Sequence, residues 1–280
     1  MMGRIRQWLS GSPAASGVGA PEPDFFAVGY PKTGNTWIRI LLGRYVQLVH
    51  GLPDMPLFDK VEMSDLKTGG YGGATGLFTH EPLTWLSQQA KDLDQQSVIG
   101  PFAGRRVMLL VRHPLDTLVS SFMHSKYKVS PPYAGEIEGF VSDPVHGLDK
   151  LFRFHELWAT HQGDAQEVLL VRYEDTHADP AGQLRRIIAF VGERVDEAAI
   201  DEATGYASFD NLKQIETAGT RLVYKSSGFN AFGDGARDDP NAFHVRKGQV
   251  AGYRSELPPE AIPGLEARVL NEMPAFYGYS

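Results

Sequence analysis

Apolar residues fall along this chain in short, nearly unbroken runs, each followed by a turn and then by apolar positions at helical spacing. Phe25 to Tyr30 is the first run. Pro31 ends it, a glycine-containing turn follows, and Trp37, Ile38, Leu41, Leu42, Tyr45, Val46 and Val49 then share one helix face. The order repeats at Arg106 to Val111, where Pro114 punctuates and Leu115, Leu118, Val119 and Phe122 resume the helical pattern. A third unit opens at Val168 to Val171, with Pro180 leading into Leu184, Ile187, Ile188 and Val191.

Strands that read as continuous apolar runs belong to a parallel sheet with both faces covered, and right-handed crossovers then set the connections. The pattern therefore predicts an α/β fold: a P-loop-like, doubly wound, mainly parallel sheet flanked by helices, in a single domain. Residues 1–23 include a Gly, Ser, Ala and Pro-rich stretch and read as a flexible leader, which leaves 24–280 as the folded domain. Residues 51–79 and 219–245 are rich in Gly, Asp and Pro and are long for connections, which favours lids or gates.

Composition narrows the choices. With 280 residues, 42% of them hydrophobic, the chain can bury one sizeable core. Cysteine is absent, so disulfides and thiolate metal ligands are excluded, and a cytoplasmic setting is expected. A net charge of -7 argues against nucleic acid as the main partner. No run approaches the roughly 18 apolar residues that a membrane span needs.

The turn after the first strand, Gly29 to Thr36, has the outline of a triphosphate-binding loop, but Asn35 stands where the phosphate lysine would be. Backbone N–H groups at such a loop still favour an anion. Lys32 brings an ammonium three residues earlier, where it reaches a bridging oxygen beside that anion; taken alone, it reads equally well as a solvated turn lysine. Arg112, at the end of the second strand, offers a planar fork of donors, and Ser120 supplies a hydroxyl from the following helix.

These motifs carry a resemblance. Tyr30-Pro-Lys-Thr-Gly-Asn-Thr-Trp37 resembles the 5′-phosphosulfate loop of the cytosolic sulfotransferases, usually YPKSGTTW, with Thr33 and Asn35 as departures. The resemblance implies that Lys32, Thr33, Gly34, Asn35 and Thr36 hold the 5′-phosphosulfate of 3′-phosphoadenosine 5′-phosphosulfate (PAPS), and that Trp37 stacks on the adenine. Arg112 to Ser120 is similar to the family's 3′-phosphate motif R-x-x-x-D-x-x-V-S. Tyr173, in a Tyr-Glu-Asp segment, and Ser208 with Phe209 resemble family segments near the base, and Arg246-Lys247-Gly248 resembles its C-terminal 3′-phosphate clamp.

Sulfation needs a base for the acceptor hydroxyl. Thr79-His80-Glu81-Pro82 resembles the family's T-H-L-P segment, which implies His80 as that base, with Glu81 as rival or orienter. Phe78 occupies the position of a family lysine. Lys32, His80 and Ser120 are thus the expected catalytic set. His80 and Glu81 lack the second histidine of a zinc motif, and no metal is expected.

The resemblance implies O-sulfation of a small-molecule hydroxyl acceptor (phenol, alcohol or lipid-like) by in-line displacement, releasing adenosine 3′,5′-bisphosphate (PAP). Aromatics on residues 51–79, 122–147 and 219–245, among them Tyr71, Phe122 and Tyr133, point to an apolar acceptor. A P-loop kinase or NTPase, or a non-catalytic nucleotide-binding protein, is the alternative; Asn35 speaks against the first and His80 against the second. Nothing in the sequence sets the oligomeric state.

Overall fold

The computed structural model describes residues 22–52, 71–80, 83–129, 131–217 and 245–279. Four strands form the sheet: β1 (Phe25–Gly29), β2 (Gly76–Thr79), β3 (Arg106–Val111) and β4 (Glu167–Arg172). Their order is β2-β1-β3-β4 and every pair is parallel. The helices, in chain order, are α1 (Asn35–His50), α2 (Gln95–Val98), α3 (Pro114–Tyr127), α4 (Ile137–Val141), α5 (Leu148–His161), α6 (Tyr173–Ala178), α7 (Pro180–Val191), α8 (Glu197–Tyr206), α9 (Phe209–Thr217) and α10 (Ile262–Glu272).

The apolar runs become strands because each face of the sheet meets its own core. Val107, Leu109 and Val111 point to one side, against residues of α3, α5 and α10. Met108 and Leu110 point to the other, against α1, α7 and α8. This gives the three-layer, doubly wound arrangement that the pattern predicts.

Local chemistry sets the helix limits. Gly34, at φ 102, precedes α1, and Gly51 closes it in the left-handed region with its N–H bonded to the carbonyls of Gln47 and Leu48. Pro114 and Pro180 occupy first turns, and the Asp179 carboxylate caps α7 by accepting from the Gly182 N–H.

Two readings need correction. Residues 51–79 are not a continuous loop, since Gly76–Thr79 is an edge strand beside β1; residues 53–70 lie outside the described residues, as do 218–244 of the second expected lid. The stretch 122–147 is likewise partly helical, because α3 runs on to Tyr127 and α4 fills Ile137–Val141.

Candidate active site

Each strand ends in an expected site residue. β1 leads into the Lys32 loop, β2 into His80, β3 into Arg112 and β4 into Tyr173. Because the strands are parallel, these four ends lie along one edge of the sheet. The chain places β2 and β3 on opposite sides of β1, which makes this edge a topological switch point, where such sheets bind ligands.

A cavity of about 1490 Å³ opens there. Lys32, Gly34, Asn35, Thr36, Trp37, His80, Arg112, Ser120, Tyr173, Phe209, Arg246, Lys247 and Gly248 all line it. Thr33 and Ser208 do not. The Thr33 hydroxyl is buried and donates to the Tyr30 carbonyl at 2.8 Å, bracing the loop from within, while the Ser208 hydroxyl accepts from the Asn211 N–H at 3.4 Å, at the start of α9.

The loop is tightly constrained. Lys32 has φ 78, unusual for a residue with a side chain, and such strain persists only where surroundings impose it. Gly29 must be glycine, because a Cβ there would lie 2.6 Å from both the Leu110 carbonyl and the Thr33 hydroxyl. Gly34 combines its positive φ with a Tyr173 ring carbon 3.0 Å from the Cβ position.

Positive charge converges on this loop. Burial, with Arg112 and Arg246 adding to it and Glu216 opposing, holds the Lys32 amine down to about 8. Arg112 lies over the Tyr173 ring at 4.3 Å and donates to the Gln249 carbonyl, and its Nε is buried with no partner among the described residues. Arg246 makes a two-pronged pair with Glu256, 2.7 Å on each arm. Repelling cations and an orphaned Arg112 donor are what a bound polyanion would relieve, so these residues fit a phosphorylated nucleotide. Trp37, 5.2 Å from the Tyr173 ring with its indole N–H on the Ala207 carbonyl, presents an aromatic wall.

His80 is held by β1. Its Nδ1 lies 2.8 Å from the Gly29 carbonyl, which can only accept, so Nδ1 carries the proton and Nε2 keeps its lone pair. Burial lowers the ring's pKa, and Lys32 lowers it further against the Gly29 hydrogen bond. Both act to keep the imidazole neutral. Glu81 lies outside the described residues, and Phe78 is buried in the core. No helix among the described residues is long and apolar enough to cross a membrane.

Four further residues shape the site without having been singled out by the sequence reading. Buried Asp116 accepts from the Ala251 and Tyr253 N–H groups at 2.8 and 2.9 Å, tying the 246–253 segment to α3. His177 contacts the Gly248 carbonyl, Glu256 holds Arg246, and Lys150 lines the cavity from α5. Asp116 had a signal, as the fixed Asp of the Arg112 motif; the others had none.

Fold and site together define a P-loop-like α/β protein with a cationic pocket at its strand ends. Comparison makes this specific. The family model described as "Sulfotransferase domain" matches residues 100–274. Cytosolic sulfotransferase 17 of Arabidopsis thaliana is 26% identical over 278 residues, covering 87% of this chain and 72% of that one. The 3-alpha-hydroxysteroid sulfotransferase of Cavia porcellus is 26% identical over 259 residues, covering 84% and 86%. In fold, the chain is similar to mouse sulfotransferase SULT7A1, solved with PAP (TM-score 0.57, 24% identity, 91% and 86% covered). Retinol dehydratase, solved with androsterone and PAP, is also similar in fold (TM-score 0.60, 17% identity, 90% and 81% covered).

The chain belongs to the sulfotransferase domain family. It is a sulfotransferase of the kind that draws its sulfuryl group from PAPS.

Proposed function

We propose that the protein sulfates the hydroxyl of a small, largely apolar acceptor, with His80 as base, Lys32 at the leaving oxygen, and Arg112, Ser120 and Arg246 at the 3′-phosphate. The observation that carries this is the meeting, in one cavity, of a histidine fixed with Nε2 free of its proton and a loop lysine crowded by two arginines. PAPS, when bound, supplies an electrophilic sulfuryl group on a good leaving group. Everything else falls to the chain.

His80 Nε2 takes the acceptor's proton as the new O–S bond forms. Lys32 neutralises charge that develops on the bridging oxygen, while the N–H groups of the Gly34–Thr36 turn, at the start of α1, face the 5′-phosphate. Trp37, Tyr173 and Phe209 enclose the base, and Lys247 and Gly248 complete the phosphate clamp. A transferring sulfuryl group carries one negative charge fewer than a phosphoryl group, so lysine and backbone dipoles suffice without a metal.

The cavity exceeds the roughly 300–1,000 Å³ usual for one ligand, which leaves space for an acceptor beside the nucleotide. Of the aromatics expected to meet it, Tyr133 lines the cavity, Phe122 packs behind Tyr133 at 6.1 Å, and Tyr71 is a buried anchor bonded to Glu193. Relatives named for a hydroxysteroid and solved with androsterone support an apolar acceptor. On this reading residues 24–280 make up the catalytic domain behind a 1–23 leader and the protein works in the cytosol, a location supported by relatives named as cytosolic sulfotransferases.

Thermal unfolding tests the donor site without knowledge of the acceptor. A ligand at about 100 times its Kd adds roughly 2.7 kcal/mol, so PAP should raise the Tm by several degrees. Arg112→Ala should lose that rise. A rise with ATP and magnesium but none with PAP would replace this reading with that of a P-loop kinase.

A further inference from the structure

Part of the cavity wall carries none of the donor motifs. It is built by Leu86, by Val129, Pro132 and Tyr133 after α3, by Phe140 of α4, and by Lys150 in the first turn of α5. Most of this wall is apolar, with the Tyr133 hydroxyl and neighbouring serines as neutral polar groups. Lys150 is its lysine, and it is 1% exposed.

A buried ammonium costs several kcal/mol unless it is paired. Among the described residues, Lys150 Nζ makes one hydrogen bond, to the Leu86 carbonyl at 2.7 Å, and lies 5.5 Å over the Trp85 ring. An ammonium has three N–H donors, so these partners leave it under-satisfied. The charged groups that bear on it are Asp143 and His146. Burial pulls the Lys150 amine down to about 8 against the Asp143 carboxylate, which favours the ammonium and whose Oδ1 accepts from the Val145 and His146 N–H groups, each at 2.8 Å. His146 lines the cavity too, with its ring stacked on Phe140 and its pKa lowered by burial. It therefore adds no fixed charge of its own. The result is a largely apolar chamber in which Lys150 is the cationic side chain of the wall, beside the polar groups of Ser121, His124 and Ser125.

We propose that the acceptor carries a carboxylate on its apolar body, and that this carboxylate pairs with Lys150 while the hydroxyl meets His80. The proposal rests on the sulfotransferase reading above and names its substrate class. A neutral acceptor would leave Lys150 with one hydrogen bond, the Trp85 ring and the through-space field of Asp143; a carboxylate supplies a direct acceptor and makes a charge-assisted hydrogen bond inside a low-dielectric site. The competing account is that Lys150 only braces the 83–87 turn through Leu86.

The experiment supplies PAPS and measures kcat and KM for 4-hydroxyphenylalkanoates with side chains of one to eight carbons, their methyl esters, and the matching amines. The expected result is a best acid with kcat/KM at least about 10-fold above its ester, the gain lying in KM, and amines poorest of all. In Lys150→Met the acid-to-ester ratio should fall to about 1, whereas Lys150→Arg should keep part of the preference. The PAP-induced rise in Tm reports whether each variant retains its fold and donor site, and the wild-type ratio decides by itself if Lys150→Met does not fold.

Esters equal to or better than acids at every length would overturn the proposal, and so would a preference that survives Lys150→Met. Either outcome, with the PAP response intact, leaves the donor site and the base standing. Loss of all sulfation together with loss of the PAP response would sink the donor reading as well.

Discussion

His80 has one nitrogen tied to the sheet and one turned to chemistry, and its pairing with Lys32 sets an expected pH profile. The imidazole must be neutral to take a proton, and its pKa lies below the ordinary histidine value. The kcat/KM should therefore rise on an acid limb below about 6.5. Lys32 must be protonated to stabilise the leaving oxygen, and in the free enzyme its amine titrates at about 8. The kcat/KM should thus fall above that value. Bound donor favours the ammonium, so the alkaline limb of kcat should lie higher than that of kcat/KM. His80→Ala should lower kcat by roughly 10²–10⁴-fold with the PAP response of the Tm unchanged; near-normal turnover in that variant would transfer the base role to Glu81.

At the scale of elements, the 246–253 segment holds its place through α3 rather than through a strand. Asp116 accepts two of its N–H groups, His177 of α6 fixes the Gly248 carbonyl, and Gly248 is in the left-handed region with the Phe209 ring 2.1 Å from where a Cβ would stand. Asp116→Asn keeps the shape but replaces one accepting oxygen by a donor, leaving a buried N–H opposed at about 1–3 kcal/mol. PAP affinity should drop about 10-fold or more, with kcat at saturating donor little changed. Calorimetric titration with PAP checks this, and unchanged affinity would mean that the clamp is placed by Glu256 and His177 alone.

For the whole molecule, the sheet is both core and scaffold. Leu109 is fully buried in the middle of β3 and faces the core of α3 and α5, so Leu109→Ala should cost about 2–5 kcal/mol. At roughly 2–4 °C per kcal/mol for a domain of this size, scanning calorimetry should show a fall of several degrees or more. PAP should restore part of it, because ligand that binds only the folded state adds stability by mass action. A drop of under a degree would mean that β3 is not the centre of the core.

The sequence by itself determined the strands β1, β3 and β4, the helices behind them, and the two anion motifs, because hydrophobic period and loop chemistry are local properties of neighbouring residues. It also placed Lys32 and Arg112 at the ends of strands or beside them, while His80 came only from the family resemblance. It missed β2, whose four residues follow a Gly-rich stretch and are too few to show a period; that strand exists because it pairs with β1. Register then decides the chemistry: Thr79 lies opposite Val28, which brings His80 level with Gly29 and its carbonyl. Asp116 to residues 251 and 253, Arg246 to Glu256, and Lys150 to Leu86 are contacts across long stretches of chain or between loops without a period. Only packing brings those groups together, so only the tertiary structure decided the shape of the clamp and the charge in the acceptor chamber.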